Sequence, residues 1–232
     1  MPDSPQSSHH EQLRITEIFY SLQGETRTIG YPTVFIRLTG CPLRCVYCDT
    51  RYAFHGGQQM SPDRILAEVN AHQPHFVTVT GGEPLMQPAC HRLITRLCDA
   101  GYQVSLETSG ALDITAVDER VSIVMDLKTP GSGEVRKNRY RNLARLSTKD
   151  QVKFVVCDHH DYEWAKARLR EFHIPQHSEV LFLPVHAPAN TSPSAPETLT
   201  ARTLADWILA DRLPARMQIQ LHKVLWGDVP GK

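Results

Sequence analysis

The feature that most constrains this chain is an alternation between short apolar runs and longer helical patterns. The runs are HFVTVT, YQVSLET, VSIVMDL, QVKFVV and EVLFLPV, preceded by two further strand-like stretches at residues 15–21 and 33–39. Segments with the apolar spacing of helices lie at residues 61–72, 87–100, 159–172 and 198–211. Because buried strands that alternate with helices form parallel βα units, the sequence predicts an α/β fold.

The length of 232 residues predicts one sizeable domain rather than two. We expect a flexible N-terminal tail at residues 1–12 and a single domain at residues 13–232. The charges balance, with 25 Lys and Arg against 25 Asp and Glu, so the composition indicates no general attraction to nucleic acid or to an anionic membrane.

The N-terminal residues MPDSPQSSHH contain no apolar segment of the kind found in signal peptides, and no long apolar run follows. Three of the six cysteines fall within eight positions and three are scattered, which is not the even pattern of a small disulfide-rich secreted protein. We therefore expect a protein of the reducing cytoplasm.

Chemically distinctive residues follow the predicted strands at the points where these strands end. The sequence GCPLRCVYCDT follows the strand VFIRL, GGEP follows FVTVT, ETSG closes the next strand, and Asp126-Leu127-Lys128 closes the one after. Because the carboxyl ends of parallel strands meet at one edge, we expect these loops to share a single site.

The strongest of these motifs is CxxxCxxC, formed by Cys41, Cys45 and Cys48. Three thiolates are soft ligands suited to an iron-sulfur cluster, and a cluster with only three protein ligands leaves one iron open for another molecule. Two alternatives remain at this point: a zinc site completed by His55, or three buried cysteines without a metal.

CxxxCxxC after a first strand and GGEP after the next together resemble the radical S-adenosylmethionine (SAM) superfamily. The resemblance implies a [4Fe–4S] cluster whose open iron binds SAM, and a reduced cluster that cleaves SAM to a 5′-deoxyadenosyl radical. It also implies a modified, partial (β/α)6 TIM-like barrel.

Further motifs narrow the resemblance: FYSLQGE, the sequence GYPTVFIRLTGC leading into the cluster motif, CDT, ETSG and QLHK. Together they are similar to the 7-carboxy-7-deazaguanine synthase family, over nearly the whole chain. The resemblance implies a ring-contracting lyase of queuosine or deazapurine biosynthesis, which converts 6-carboxy-5,6,7,8-tetrahydropterin to 7-carboxy-7-deazaguanine and ammonia. Mg²⁺, a reductant such as flavodoxin or ferredoxin, and a homodimer are also implied, without direct contact to nucleic acid or membrane.

The same resemblance implies the site residues. Those expected to contact the pterin are Leu22, Gln23, Gly24, Arg37, Thr80 and Pro230, and Thr50 is expected to bind Mg²⁺. Those expected to contact SAM are Tyr47, Cys48, Asp49, Gly82, Asp126, Leu127, Lys128, Leu183, Pro184, Val185 and His186. A bidentate guanidinium suits the pterin carboxylate, although Arg37 could equally face outward from a half-buried strand, and Thr50 could be a turn residue.

Asp126-Leu127 and Leu183-Pro184 differ from the family's usual Ser-Pro and Gln-Pro at these positions.

Two other hypotheses compete with the synthase. A glycyl-radical-activating enzyme shares the cluster motif and GGEP but leaves SLQGE and QLHK unexplained, and a zinc-stabilised binding module leaves GGEP unexplained. The basic run RKNRYR at 136–141 could hold phosphate or RNA, or be a solvated surface.

Overall fold

The computed structural model describes residues 12–186 and 199–232. All but the last residue of the expected tail at 1–12 lies outside the described residues, so that expectation stays a prediction. Within the described part, all nine strands belong to one sheet.

The strands are numbered in chain order. They are β1 (Leu13–Leu22), β2 (Pro32–Leu38), β3 (Gln58–Met60), β4 (Phe76–Gly81), β5 (Gln103–Thr108), β6 (Ser122–Asp126), β7 (Gln151–Val156), β8 (Glu179–Pro184) and β9 (Arg216–Met217). Their order in the sheet is β3-β1-β2-β4-β5-β6-β7-β8-β9. The seven strands expected from the sequence are all present, and the short edge strands β3 and β9 were not expected.

The strands from β2 through β4, β5, β6, β7 and β8 pair in parallel, which gives the six strands of the expected partial barrel. β1 is antiparallel to both β2 and β3. The middle strands are apolar on the outer face, which the helices cover, whereas the inner face also carries the polar side chains that line the cavity.

The helices are α1 (Pro62–Ala71), α2 (Ala89–Asp99), α3 (His159–Glu171), α4 (Ala201–Ala210) and α5 (Leu221–Trp226). The first four coincide with the expected helical segments. α1 begins as its sequence predicts, because the Ser61 hydroxyl accepts a hydrogen bond from the Arg64 N–H and Pro62 occupies the first turn.

The barrel is trimmed on the side of β6. Among the described residues, no α-helix connects β5 to β6 or β6 to β7, and short 3-10 turns at Pro130–Ser132, Val135–Lys137 and Tyr140–Arg145 follow β6 instead. The gap between the two edges of the sheet is bridged by a side chain. The Gln218 amide donates to the Thr26 carbonyl at 2.6 Å and accepts from the Thr26 N–H at 2.9 Å, as a neighbouring strand would.

No helix in the described residues combines the length and the apolar character that crossing a membrane requires.

Candidate active site

The carboxyl ends of β2, β4, β5, β6, β7 and β8 surround one cavity, as the parallel topology requires. All but two of the residues expected at the site line it. They are Leu22, Gln23, Gly24, Arg37, Cys41, Cys45, Tyr47, Cys48, Asp49, Thr50, Thr80, Gly82, Asp126, Lys128, Leu183, Pro184, Val185 and His186. Residues up to 164 positions apart in the chain, from Leu22 to His186, therefore share one surface.

The cysteine loop and the GGEP loop lie against each other. The Glu83 N–H donates to the Gly40 carbonyl at 2.8 Å, and a Cβ at Gly82 would lie 2.4 Å from that carbonyl oxygen and 2.7 Å from the Cys41 Cβ. Only glycine permits this approach. The GGEP backbone is thereby held beside the first cysteine of the loop.

The three cysteines are free thiols that line the same cavity. Burial raises the pKa of Cys41, and it raises the pKa of Cys45 to about 11, so these sulfurs favour the neutral form unless a metal replaces the proton. This chemistry suits ligands that become thiolates when a cluster binds.

A zinc site with His55 has no support in the geometry. His55 lines a separate cavity with Arg14 and Gln87, away from the three thiols. Within residues 12–186 and 199–232, no three His, Cys, Asp or Glu side chains converge on a point that one ion could occupy. Cluster ligands bind different irons and stand farther apart than ligands of one ion, so the arrangement fits a [4Fe–4S] cluster better.

Glu83, the acid of GGEP, does not face the cavity. Its buried carboxylate accepts hydrogen bonds from the Leu85 N–H, the Thr108 hydroxyl, and both the N–H and hydroxyl of Ser109, at 2.6 to 3.1 Å. It ties the GGEP loop to the ETSG loop after β5. The two motifs, which the sequence places 23 positions apart, thus form one braced structure.

Two polar atoms beside the cysteines have no hydrogen-bond partner among the described residues: the buried Tyr47 hydroxyl and Asp126 Oδ1. Lys128 lies 5.9 Å from the Tyr47 ring centre, and its ammonium is 2.9 Å from Asp126 Oδ2. Burial opposes ionisation of Asp126, but Lys128 and Lys153 outweigh it and hold the pKa of that carboxyl below its usual range. This part of the cavity fits a ligand that carries hydroxyl or amino groups, as SAM does.

The opposite part of the cavity is built on Glu107, at the end of β5. Its carboxylate accepts from the Gln23 amide and from the Thr80 hydroxyl, each at 3.2 Å. Burial raises the pKa of Glu107, with Glu25 adding to the effect and Lys153 opposing it. Gln23 and Thr80 were expected to contact the pterin, and Glu107 belongs to the ETSG motif expected at the site, but its role in joining them was not predicted.

Glu25 and Lys153 are also functional candidates that sequence reasoning missed. The Lys153 ammonium donates to Glu25 Oε2 at 2.8 Å and lies 3.7 Å from Asp126 Oδ2. Burial lowers the pKa of Lys153, but Glu25 and Asp126 outweigh it and raise that pKa above its usual range. The sequence does hint at this role of Lys153. A lysine in the middle of the buried strand QVKFVV needs a buried partner of opposite charge.

The SLQGE and QLHK motifs meet at the cavity. The Leu221 N–H donates to the Gly24 carbonyl at 2.9 Å, and the Gln220 amide donates to Glu25 Oε1 at 2.8 Å. A Cβ at Gly24 would lie 1.9 Å from His222 Nδ1, so glycine is required here. Burial lowers the pKa of His222, which keeps the imidazole neutral near pH 7.

Arg37 and Thr50 both line the cavity and both have partners. Arg37 Nε donates to Glu17 Oε1 at 2.6 Å, and the Tyr52 hydroxyl donates to the same oxygen at 2.8 Å. The Thr50 hydroxyl donates to Asp49 Oδ1 at 2.7 Å. Burial opposes ionisation of Asp49, but this hydrogen bond and Lys223 lower its pKa overall.

Two expected contacts lie elsewhere. The Leu127 side chain is packed in the hydrophobic core because the chain after β6 turns it away from the cavity. Pro230 is exposed and does not line the cavity, whereas Lys232, two residues further on, does.

The chain is similar in sequence to known proteins over almost its full length. The chain is 42% identical over 218 residues to 7-carboxy-7-deazaguanine synthase of Chlorobaculum tepidum, covering 93% of this chain and 94% of that protein. It is 41% identical over 219 residues to the protein of the same name from Koribacter versatilis, covering 92% and 97%. The chain belongs to the 7-carboxy-7-deazaguanine synthase family.

The family model of the radical SAM superfamily matches residues 35–133, which include the cysteine, GGEP and ETSG motifs. The fold agrees with the crystal structure of QueE from Escherichia coli, with a TM-score of 0.70 at 22% identity, covering 94% of this chain and 100% of that one. The protein is thus a radical SAM enzyme of this synthase family, with a [4Fe–4S] cluster and SAM as cofactors and the expected partial barrel. The alternative of a zinc-stabilised binding module is wrong.

Proposed function

We propose that this family member converts 6-carboxy-5,6,7,8-tetrahydropterin to 7-carboxy-7-deazaguanine and ammonia, in the biosynthesis of queuosine or another deazapurine. The observation that carries the proposal is the division of the cavity. Cysteines and GGEP line one part, and the other is lined by carboxylates and an arginine that match a heterocycle bearing N–H groups and a carboxylate. The names of the relatives support the same product.

When bound, the cluster and SAM supply a primary carbon radical able to take a hydrogen atom from the substrate. Such a radical attacks many C–H bonds, so the chain must select one by position and by excluding water. The charged groups at the strand ends suit this task because their partners already hold them in place: Glu25 by Lys153, and Glu107 by Gln23 and Thr80.

Arg37 is assigned to the pterin carboxylate. A guanidinium has five N–H donors, and within the described residues only Nε forms a hydrogen bond, to Glu17. Its two terminal nitrogens remain for a bidentate contact. Glu17 holds the guanidinium of Arg37, a residue that lines the cavity.

The pyrimidine portion of a pterin offers an amino group and a ring N–H, which are donors for Glu25 and Glu107. The Gln23 amide and the Thr80 hydroxyl donate to the Glu107 carboxylate and hold it in place. Leu22 and Gly24 complete this part of the lining. Pro230, two residues before Lys232, is assigned to the pterin as well.

For SAM, the assigned groups are Tyr47, Cys48, Asp49 and Gly82 on the two motif loops, Asp126 and Lys128 after β6, and the segment from Leu183 to His186 after β8. Leu127 is assigned through its backbone carbonyl, because its N–H already donates to the Lys153 carbonyl. Asp126 Oδ1 is free to accept a hydrogen bond from a bound hydroxyl. Thr50, beside the anionic Asp49, is assigned to Mg²⁺, since hard oxygen donors suit that ion.

We further propose a homodimer that works in a reducing cytoplasm and receives electrons from a flavodoxin or ferredoxin. Exposed apolar side chains at Val224, Leu225 and Val229 support an interface with a second copy. Light scattering on the purified protein measures the oligomeric state directly.

The function is tested by incubating reconstituted protein with SAM, a chemical reductant and carboxypterin deuterated at C6. The expected result is the mass of carboxydeazaguanine, with deuterium returned to recovered SAM. Stoichiometric consumption of SAM with no returned label would contradict the catalytic cycle.

Arg37→Ala should uncouple the reaction, releasing 5′-deoxyadenosine while product formation falls about a hundredfold, because the pterin loses a bidentate anchor. Arg64→Ala is the matched control, since it removes another arginine paired with a glutamate, on the outer helix α1. Equal product yields from the two variants would remove Arg37 from the site.

A further inference from the structure

Four charged side chains form a continuous row in the lining of the cavity. The Lys153 ammonium donates to Glu25 Oε2 at 2.8 Å and lies 3.7 Å from Asp126 Oδ2, and the Lys128 ammonium lies 2.9 Å from the same Asp126 oxygen. The side chain of each is only 11 to 14% exposed. We call this set the charge row and define it as Glu25, Lys153, Asp126 and Lys128.

The sheet fixes Lys153 at the middle of the row. Asp126 and Lys153 are register partners in the parallel pair of β6 and β7, and the Leu127 N–H donates to the Lys153 carbonyl at 2.9 Å. Register partners on neighbouring strands project to the same face of a sheet, so Lys153 and Asp126 both enter the cavity. Glu25 belongs to the segment that follows β1. Lys153 therefore joins the part of the cavity assigned to the pterin to the part assigned to SAM.

Stability alone does not explain the charge row. Burying charged groups is costly, and apolar residues of similar volume often serve a core equally well or better. The row is also incomplete, because the buried Asp126 Oδ1 has no hydrogen-bond partner among the described residues. A network that served only the fold would satisfy this oxygen. The open acceptor indicates that the row is completed by a ligand.

The two ends of the row match two different ligands. The Glu25 carboxylate suits the N–H donors of the pterin, and in the described part of the chain Asp126 is the only acidic side chain paired with the Lys128 ammonium. SAM carries a carboxylate of its own that Lys128 can bind. With both ligands bound, donors and acceptors alternate without a break from the pterin to SAM.

Such an alternating row transmits an effect from one end to the other. Hydrogen bonds in series polarise one another, and buried charges are screened little by water. An N–H donor at Glu25 weakens the hold of that carboxylate on Lys153, which then pairs more closely with Asp126. Asp126 in turn holds Lys128 less tightly, and Lys128 becomes available to a carboxylate. Both ligands therefore shift the row in the same direction.

We propose that Lys153 is a positioning residue that couples the binding of the pterin to the binding of SAM, an inference that rests on the proposed function. Each ligand binds more tightly when the other is already in place. Lys153 acts through Glu25 and Asp126 and not through a contact of its own with either ligand. SAM is then held most firmly when the substrate is present beside it.

The test measures binding without turnover, in reconstituted holoenzyme whose cluster is kept oxidised so that SAM is not cleaved. Anaerobic equilibrium dialysis gives the Kd of SAM without 6-carboxy-5,6,7,8-tetrahydropterin and with the pterin at saturation. In the unmodified protein the pterin should lower this Kd about tenfold, and in K153M the two values should agree within about twofold. Because coupling between two ligands is reciprocal, SAM should change the Kd of the pterin by the same factor.

The variant K166M is the matched control. Lys166, on α3, also pairs with two carboxylates, 2.7 Å from Glu163 and 2.6 Å from Asp211, but it does not line the cavity. It should keep the tenfold ratio. K153R keeps the positive charge and should restore most of the coupling that K153M loses. Thermal melts establish that all three variants fold.

The variant D126N interrupts the row at a second point without changing the size of the side chain. It should bind SAM more weakly and should also show a ratio within about twofold of one, since Lys153 and Lys128 no longer share a carboxylate. A loss of SAM affinity with the tenfold ratio intact would mean that Asp126 binds SAM but does not transmit the effect of the pterin.

A tenfold ratio in K153M, or a ratio near one in the unmodified protein, would overturn the proposal. The outcome also separates this inference from the proposed function. If the unmodified protein does not bind the pterin, the proposed function fails and the coupling fails with it. If the protein binds the pterin and forms the product but shows a ratio near one, the proposed function stands and only the coupling is wrong.

Discussion

The two loops that carry the cofactor motifs lie side by side but are stabilised in opposite ways. In the GGEP loop, the fully buried Glu83 accepts hydrogen bonds from Leu85, Thr108 and Ser109. In the cysteine loop, the thiols have no such network, and it is the backbone carbonyls that accept hydrogen bonds, from Arg44 within the loop and from Arg51 beyond it. The side-chain network of the GGEP loop is therefore complete before any cofactor binds, whereas the three thiols are joined to one another only when the cluster binds.

This difference separates two roles that a motif can have. Charged groups with several donors make strong hydrogen bonds, and a buried carboxylate without them is costly, so the charge of Glu83 stabilises a fixed backbone. The cysteine thiols, in contrast, are left free to bind the cluster. Because the loop is not fixed by a network of its own thiols, it can adjust to the dimensions of the cluster when the cluster binds.

The largest expected effect breaks the cysteine loop alone. Cys45→Ala should abolish cluster assembly and SAM cleavage, because a thiolate ligand is lost, while the unfolding midpoint of the metal-free protein changes little. Iron and sulfide analysis after anaerobic reconstitution measures the first effect, and urea unfolding the second. Cys98→Ala, which alters a half-buried thiol on α2, is the control and should assemble a normal cluster.

The second prediction breaks the GGEP loop. Glu83→Ala should destabilise the metal-free protein by about 3 kcal/mol, because it leaves the buried donors of Thr108 and Ser109 without an acceptor. Urea unfolding of the metal-free protein measures the loss. The control is Glu119→Ala, which removes an exposed carboxylate. A loss below 1 kcal/mol would show that the GGEP loop does not depend on this carboxylate.

The third prediction concerns how the stability of the protein depends on pH near the GGEP loop. Burial, reinforced by the charge of Glu83, raises the pKa of Cys90, which lies in the first turn of α2 behind the GGEP loop. The unfolded chain loses this proton above its ordinary value of 9.0 while the folded chain keeps it, so stability falls as pH rises beyond that value. The fall is at most about 1.4 kcal/mol per pH unit.

Urea midpoints measured from pH 8 upward for the unmodified protein and Cys90→Ala should therefore converge, since alanine carries no proton. Cys98→Ala makes the same change at a half-buried site, where burial raises the thiol pKa less than at Cys90, and should therefore converge less. Parallel curves for Cys90→Ala would contradict the assignment.

The smallest expected effect concerns the hydrogen bond by which Arg51 holds the backbone of the cysteine loop. Arg51→Ala removes one hydrogen bond to the Val46 carbonyl and should cost about 1 kcal/mol in the metal-free protein. Once the cluster has assembled, the loss should shrink, because the metal then holds the loop. Arg145→Ala, at an exposed arginine without an ion pair in the described residues, should cost less than half as much.

The fold could be predicted from the sequence because short, largely apolar strands alternate with segments that have helical spacing, a pattern that favours parallel βα units. β3 and β9 were missed because segments of three and two residues have no measurable period. The short helix α5 was missed for the same reason, since six residues carry less than two turns of pattern.

The site could be predicted wherever a motif is local. The spacing of the three cysteines in the sequence is enough to predict the cluster ligands. The ion pair of Glu25 and Lys153, in contrast, joins residues 128 positions apart, and no local pattern predicts such a contact. Leu127 shows that a motif can also predict too much. It lies between Asp126 and Lys128, which both line the cavity, but successive side chains of an extended chain point to opposite sides, so the Leu127 side chain lies in the core instead.

The barrel is an open sheet, and its two edges are the three-residue strand β3 and the two-residue strand β9. An open sheet normally offers a row of unpaired backbone groups on which another chain can form β-structure. Here β3 pairs with only Leu13, Arg14 and Ile15 of β1, so within the described residues the rest of β1 has a strand partner on one side alone. Gln218 contacts the Thr26 backbone at the gap with a side chain instead of a strand. The opening that exposes the cavity to its ligands therefore leaves one side of β1 available for pairing with another chain.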